Sequence, residues 1–246
     1  MGEAIAIISG KGGTGKTTVC ATVAACLAAC GKRVLCIDAD IGLRNLDIAL
    51  GMADLSVAAF TDVMRGCADL TDAAVHPALE DKLFLLTAPV REREEDIDPA
   101  GFAALVARAK QEFDFCLIDA PAGLGPGFRL AACGADRCLL ISTPDLASMR
   151  DAAHTAELLE RGGKRNLSLI VNRVRPKLFR RLDMTVDDMM DEIGLPLLGV
   201  IPEDPDVLLA AAEGNALIFA TDGGAAEACL RISRRLCGEM LPLMKL

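Results

Sequence analysis

The sequence predicts a doubly wound α/β domain, a mostly parallel sheet with helices on both faces, and three observations predict it. Short apolar runs alternate along the chain with stretches of helical periodicity. Several of those runs are apolar at successive positions rather than at every second one, as strands buried on both faces are. A glycine-rich segment joins the first run to the first helical stretch.

Strands are predicted at 4–9, 33–38, 83–87, 115–119, 137–143, 167–172 and 197–201. Helices fall between them. In the first, Val19, Val23 and Leu27 recur at i+4 spacing, and Gly31 closes the helix before the second strand. The acidic stretch "REREEDIDPAG" (91–101) reads as a solvated loop leading into a helix that starts at Pro99 behind an Asp98 cap. Near the C-terminus, Cys229, Ile232, Leu236 and Met240 form a stripe whose spacing suits packing on the sheet. No internal repeat is visible, and one domain over residues 1–246 is expected.

A chain of 246 residues, 52% hydrophobic, is long enough to bury the full core of one large domain. No apolar run reaches the ~18 residues of a membrane span, and Met1-Gly2-Glu3-Ala4 shows no basic leader, so a cytoplasmic location is expected. Ala6 stands where a myristoylation signal needs Ser or Thr. The net charge of −9 repels nucleic acid, which makes that partner an unfavourable one. The one basic run, 173–181, is followed by the acidic stretch 183–192. The ten cysteines contain no C-x-x-C, and Cys20, Cys26, Cys30, Cys36, Cys116 and Cys138 sit in apolar runs, which reads as core packing in a reducing compartment. His76 and His154 are isolated and are assigned no chemistry.

The segment "GKGGTGKTTV" carries the chemistry. Gly10, Lys11, Gly12, Gly13, Thr14, Gly15, Lys16 and Thr17 satisfy G-x-x-x-x-G-K-[ST], between a predicted strand and a predicted helix. Glycines let N–H groups turn inward around oxygens, the helix N-terminus adds a favourable dipole, Lys16 neutralises β/γ-phosphates and Thr17 offers a hydroxyl to Mg²⁺. Lys11 is a second cation in the same tight loop. Two such charges repel unless concentrated negative charge lies beside them. Lys16 already serves the γ-phosphate, so Lys11 is expected to reach a nucleotide held by a second subunit, making dimerisation a consequence of ATP occupancy.

Carboxylates follow at strand ends, the edge where open α/β sheets bind ligands. Asp38 and Asp40 share one side of the second strand's end; one serves Mg²⁺ while the other positions or deprotonates the attacking water. "FCLIDAPAGLG" has the Walker B form, with Asp119 at the strand tip for Mg²⁺ and Gly123 as candidate sensor of the γ-phosphate. Asn172 presents an amide that matches the adenine edge, and a loop through Pro202 and Asp204 lies at the last strand's end.

The Lys11–Thr18 octapeptide, K-G-G-T-G-K-T-T, resembles the deviant Walker A motif of the MinD/ParA group of P-loop ATPases. "DADIGLRNLDIALG", "DAPAGL", the segment from "VNRVRPK" to "GVIPED" and "RRLCGEMLPL" extend the likeness nearly end to end, towards the branch that determines the bacterial septum site. The resemblance implies a Rossmann-like, three-layer P-loop fold and a Mg²⁺-dependent ATPase whose homodimer sandwiches two ATP molecules. It further implies that Lys11 crosses to the partner's nucleotide, that Lys16, Thr17 and Thr18 belong to the phosphate loop, and that Asp40 orients water. Asp38 and Asp119 would hold the Mg²⁺ shell, Asn45 would belong to the first switch, and Asn172 would read adenine. It also implies MinC-like and MinE-like division regulators, reversible attachment at the inner face of the cell membrane, and a partner-facing segment at 148–159 with Arg150 and Asp151 as contacts. Members of this group usually end in a basic amphipathic helix, whereas this sequence ends "GEMLPLMKL", so these residues lend the membrane role no support of their own.

Two other readings share part of the signal. A ParA-like partitioning or flagellar-number ATPase uses the same chemistry, although the acidic balance disfavours its DNA-binding form. A nitrogenase iron protein-like redox ATPase needs a cluster cysteine after the Walker B strand, and residues 121–129 contain none.

Overall fold

The computed structural model describes residues 1–181 and 184–244, so Asp183 of the acidic stretch and the last two residues lie outside it. Eight strands among them, β1 (Glu3–Ile8), β2 (Val34–Asp38), β3 (Ala74–Val75), β4 (Leu83–Leu86), β5 (Phe115–Asp119), β6 (Arg137–Ser142), β7 (Leu167–Val174) and β8 (Leu197–Pro202), form one sheet in the order β3-β4-β2-β5-β1-β6-β7-β8. All pairs are parallel except β3 with β4. The helices are α1 (Lys16–Ala29), α2 (Leu46–Ala49), α3 (Phe60–Met64), α4 (Pro99–Glu112), α5 (Pro126–Gly134), α6 (Leu146–Arg161), α7 (Pro176–Arg181), α8 (Val186–Ile193), α9 (Asp206–Ala212), α10 (Leu217–Ala220) and α11 (Gly224–Leu236).

The continuous apolar runs are explained by two core layers, one on each face of the sheet. Ala4, Ala6 and Ile8 of β1 pack with Leu35, Ile118 and the α4 residues Phe102 and Val106. The alternate residues Ile5 and Ile7 pack with Cys36, Leu117 and the α1 residues Val19, Val23 and Leu27. Because side chains alternate across a strand, both sets must be apolar, which erases the period of two. On the first face Phe60 and Phe102 meet edge to face with ring centroids 5.3 Å apart. β1 lies centrally between β5 and β6, and the loops beyond its carboxyl end therefore open into the crevice where such sheets hold ligands.

The predicted strands are present with boundary shifts of one or two residues, and the Asp98 cap forms, accepting from the N–H groups of Ala100 (3.1 Å) and Gly101 (3.0 Å) ahead of Pro99. Five details differ. The two-residue β3 is too short to show a period, and β7 continues past Asn172 to Val174 through a register irregularity. The stretch at 91–101 is tied down rather than freely solvated: Glu92 takes a bidentate pair from Arg65, and Glu94 accepts the N–H of Gly127 at 2.9 Å, anchoring the start of α5. Cys30 is exposed, because it caps the end of α1 instead of facing the sheet. Met240 is also fully exposed: α11 ends at Leu236, so only Cys229, Ile232 and Leu236 of the stripe are buried.

Candidate functional site

β1 ends at Ile8, and the chain turns through residues 10–15 before α1 begins at Lys16. Gly15 makes that turn, with φ 91° in the left-handed region and with the Asn172 amide nitrogen 2.4 Å from where a Cβ would sit. Both the backbone angle and the neighbour exclude a side chain there. α1 then opens with no side-chain cap and no acidic residue in its first turn. Its free N–H groups and positive dipole end are left for an external anion.

Lys16 lies behind this turn at 7% exposure. Its ammonium donates to Ser9 Oγ at 2.9 Å, and Ser9 donates in turn to the Lys11 carbonyl at 2.7 Å. Burial pulls the Lys16 pKa down, while the charges of Asp119 and Asp40 oppose that pull. A buried ammonium facing one neutral hydroxyl is under-compensated, and phosphate oxygens are the natural correction.

Asp38 and Asp119 are register partners at the ends of β2 and β5. Asp38 spends one oxygen on the N–H of Asp40 (2.9 Å) and the other on that of Leu46 (3.2 Å). Burial nonetheless pushes its pKa up to about 6. Asp119 is more extreme. It is buried, its Oδ1 has no hydrogen-bond partner, and burial pushes its pKa up to about 8 although Thr17 and Lys16 pull the other way. An orphan carboxylate oxygen beside a threonine hydroxyl and a second buried carboxylate suits a hard divalent cation. Among the described residues no three His, Cys, Asp or Glu side chains converge as a cage. Mg²⁺ takes one or two carboxylates and completes its shell with phosphate oxygens and water.

Asp40 is half-buried at the mouth of the site, where its Oδ1 accepts from Gly42 (3.2 Å) and Leu43 (3.1 Å). The loop it starts leads to the exposed Asn45, and is pinned by Arg44, which adopts φ 49° and donates from Nε to Thr87 Oγ1 at 3.1 Å. On the other side, Asn172 donates from Nδ2 to the Thr14 carbonyl at 2.8 Å and accepts from Arg173 N at 2.9 Å. Its amide is thus shared between the glycine loop and a cavity of about 450 Å³ lined by Gly15, Thr18, Val19, Pro202 and Leu217. The volume and apolar walls suit a planar base. Gly12 and Gly13 form the exposed tip of the loop, Thr14 is buried with its hydroxyl unpartnered, and Gly123 is half-buried with φ 85°.

The second cation of the loop has a partner in its own chain. Lys11 Nζ donates to Asp145 Oδ1 at 3.0 Å. With side chains 34% and 50% exposed, such a pair is worth only about 0–1 kcal/mol, so Lys11 is readily released. Asp145 also caps α6 through Ser148 N (2.9 Å) and accepts from the Thr143 hydroxyl (2.7 Å). Partial burial opposes ionisation, yet these bonds and Lys11 hold its carboxyl below the usual range. α6 packs directly against the loop's start: a Cβ at Gly10 would lie 2.7 Å from the Asp151 carbonyl oxygen. Arg150 on that helix is exposed and Asp151 half-buried.

Sequence reasoning missed Ser9, Arg44 and Asp145. Asp145 had a legible signal, an Asp directly before a helical pattern. Ser9 and Arg44 had none, since their roles depend on where a distant side chain arrives.

A sequence profile of the CobQ/CobB/MinD/ParA nucleotide-binding domain matches residues 5–218. The chain is 37% identical to the septum site-determining protein MinD of Bacillus subtilis, over 100% of this chain and 93% of that one. Among solved structures, it superposes with TM-score 0.90 on the MinC:MinD cell division protein complex of Aquifex aeolicus, at 36% identity covering 99% of this chain and 98% of the other. The septum site-determining protein MinD of Pyrococcus horikoshii, complexed with Mg-ADP, gives TM-score 0.83 at 31% identity over 96% of both. A loop prepared for phosphate and carboxylates prepared for a cation are therefore features of a chain that belongs, along nearly its whole length, to the CobQ/CobB/MinD/ParA family of nucleotide-binding proteins.

Proposed function

We propose that this chain is a Mg²⁺-dependent ATPase, one domain over residues 1–246, whose nucleotide state controls self-association and which acts in placing the bacterial division site. The observation that carries the reading is the conjunction of a buried Lys16 whose ammonium meets only the Ser9 hydroxyl, an orphan oxygen on the buried Asp119 and an uncapped N-terminus of α1. ATP with Mg²⁺ supplies the opposite charge that each of these groups lacks.

In this assignment the N–H groups of residues 10–18 and the Lys16 ammonium hold the phosphates. Thr17, Asp38 and Asp119 hold the cation, which supplies charge neutralisation along the scissile bond. Asp40 orients the attacking water from the mouth of the site, and Gly123 and the Asn45 loop respond to the γ-phosphate. Asn172 and Pro202 border the base. Lys11 leaves Asp145 for the triphosphate of a second copy, which couples ATP occupancy to dimerisation.

The relative named for septum-site determination supports the cellular role, and the solved MinC:MinD cell division protein complex supports a MinC-like partner. A MinE-like regulator is assigned to the segment 148–159 of α6, with the exposed Arg150 and the half-buried Asp151 as contacts. No described helix is long and apolar enough to cross a membrane. The family resemblance, and no residue of this chain, carries the reading of a cytoplasmic protein with peripheral attachment at the inner face of the cell membrane.

Asp40→Ala tests the catalytic division of labour. Nucleotide affinity is expected to stay within about threefold, while steady-state phosphate release falls by roughly 10²-fold, as for loss of a positioned acid–base group. Unchanged turnover would remove Asp40 from the chemistry.

A further inference from the structure

Among the described residues, three other than glycine adopt positive φ: Arg44 (49°), Asp81 (60°) and Arg173 (56°). Arg44 pins the loop after Asp40 to Thr87, and Asp81 sits in an exposed turn. Arg173 differs from both in lying inside a strand, β7. The left-handed region disfavours any residue with a Cβ, and within a strand it also interrupts the ladder.

The interruption is confined to two residues. β6 pairs with β7 as far as Val171, and β8 pairs with Val171 and then with Val174, so Asn172 and Arg173 bulge out of register between them. Pairing resumes at once, and Glu203 N donates to the Val174 carbonyl at 2.9 Å. Asn172 is buried and held to the Thr14 carbonyl, its Oδ1 accepting Arg173 N, while Arg173 itself is exposed. A bulge and a left-handed residue together re-aim a side chain, and such strain collects at ligand sites.

Arg173 is aimed at a boundary between two cavities. One is the apolar cavity of about 450 Å³ beside Gly15, Thr18 and Pro202; the other, about 350 Å³, lies against Lys11, Gly12 and Gly13 at the loop tip. Arg173 and Glu203 line both. Glu203 is engaged by Arg175, whose Nη2 donates to its Oε1 at 2.7 Å, and Lys11 is engaged by Asp145. The Arg173 guanidinium has no hydrogen-bond or ion-pair partner among the described residues, so it carries the uncompensated charge at this boundary. An anion is its complement, and a guanidinium offers a phosphate two parallel donors.

We infer that Arg173 is a further nucleotide ligand, binding the α-phosphate where a bound nucleotide passes from the phosphate loop to the base cavity. The inference rests on the proposed function, which sets the phosphates on residues 10–18 and the base beside Asn172 and Pro202. Because the α-phosphate is common to ATP and ADP, Arg173 holds both, whereas Lys11 is assigned to the triphosphate of a second copy.

The test is isothermal titration of wild type, Arg173→Gly and Arg173→Lys with Mg·ADP, beside melting curves without nucleotide. Glycine adopts φ 56° without strain, so Arg173→Gly deletes the side chain and leaves the bulge intact. It should melt close to wild type or above it, yet bind Mg·ADP about tenfold more weakly, as for loss of a charge-assisted contact. Arg173→Lys should recover part of that affinity. Wild-type Mg·ADP affinity in Arg173→Gly would overturn the inference, and if ATP-driven doubling of mass were lost at the same time, Arg173 would belong to the contact with the second copy. A lower melting temperature with an affinity loss that Arg173→Lys leaves unrepaired would also overturn it, giving the side chain to the fold. Wild type that binds no Mg·ADP would remove the proposed function itself, and this inference with it.

Discussion

Lys16→Ala lowers ATP turnover by roughly 10²–10³-fold and weakens ATP binding to a similar degree, because it deletes the one cation buried behind the phosphate loop. The effect is large because the site has already borne the desolvation of that charge: Lys16 is 7% exposed with Ser9 its only hydrogen-bond partner among the described groups, and the proposed function gives it the nucleotide's phosphates as partner. The same reasoning separates lost binding from lost structure. Removing a buried, under-compensated ammonium relieves strain on the empty protein, so the variant should unfold at the same temperature as wild type or slightly above it. Isothermal titration with ATP and Mg²⁺, run beside a melting curve, checks both halves. Full ATP affinity in the variant would place the triphosphate elsewhere.

Asp119→Asn produces opposite effects on stability and function. In the nucleotide-free protein Asp119 is a buried carboxylate with an orphan oxygen, its pKa pushed up to about 8, and its neighbour Asp38 lies at about 6. Unfolded, both would titrate near 4. Between roughly pH 4 and 8 the folded state therefore binds more protons than the unfolded state, and stability falls as pH rises through that window. Asparagine is neutral throughout. The variant is expected to flatten this decline and, at pH 8, to gain about 2 kcal/mol, or roughly 4–8 °C in Tm. Its Mg²⁺-dependent turnover should fall at least 10²-fold, since the proposed function makes Asp119 a cation ligand and asparagine is a weak one. Melting curves from pH 5 to pH 8 with and without Mg·ADP decide the matter: wild type should gain more from Mg·ADP than the variant at every pH. An equal gain in both would take Asp119 out of the cation site.

Much of this was legible in the sequence because it is local. The Gly15-Lys16 turn, the Asp98-Pro99 helix start and the apolar runs of β1, β2 and β5 each follow from neighbouring residues, and the structure places them within a residue or two. Asp38 and Asp119 were legible as strand ends, although their register pairing was not, since it depends on strand order. What stayed hidden is non-local. Asp145 meets Lys11 across 134 positions of chain, and Asn172 reaches the Thr14 carbonyl across 158. β3 was too short to carry a pattern, and Met240 continued a helical stripe past the point where Gly238 ends the helix.

The exposed Lys11–Asp145 pair makes the switch inexpensive to throw. On the proposed function, a bond worth about 0–1 kcal/mol in the single chain would give way to a charge-assisted contact with phosphate oxygens in a dimer. The direct measurement is molar mass by light scattering of the Asp40→Ala protein, in which hydrolysis is expected to be slowed, with Mg·ATP, with Mg·ADP and without nucleotide, repeated with Lys11→Ala added. ATP alone should double the mass, and adding Lys11→Ala should return it to that of one chain while ATP remains bound. A nucleotide-saturated protein that stays at the mass of one chain, or a Lys11→Ala form that doubles just as readily, would contradict the account.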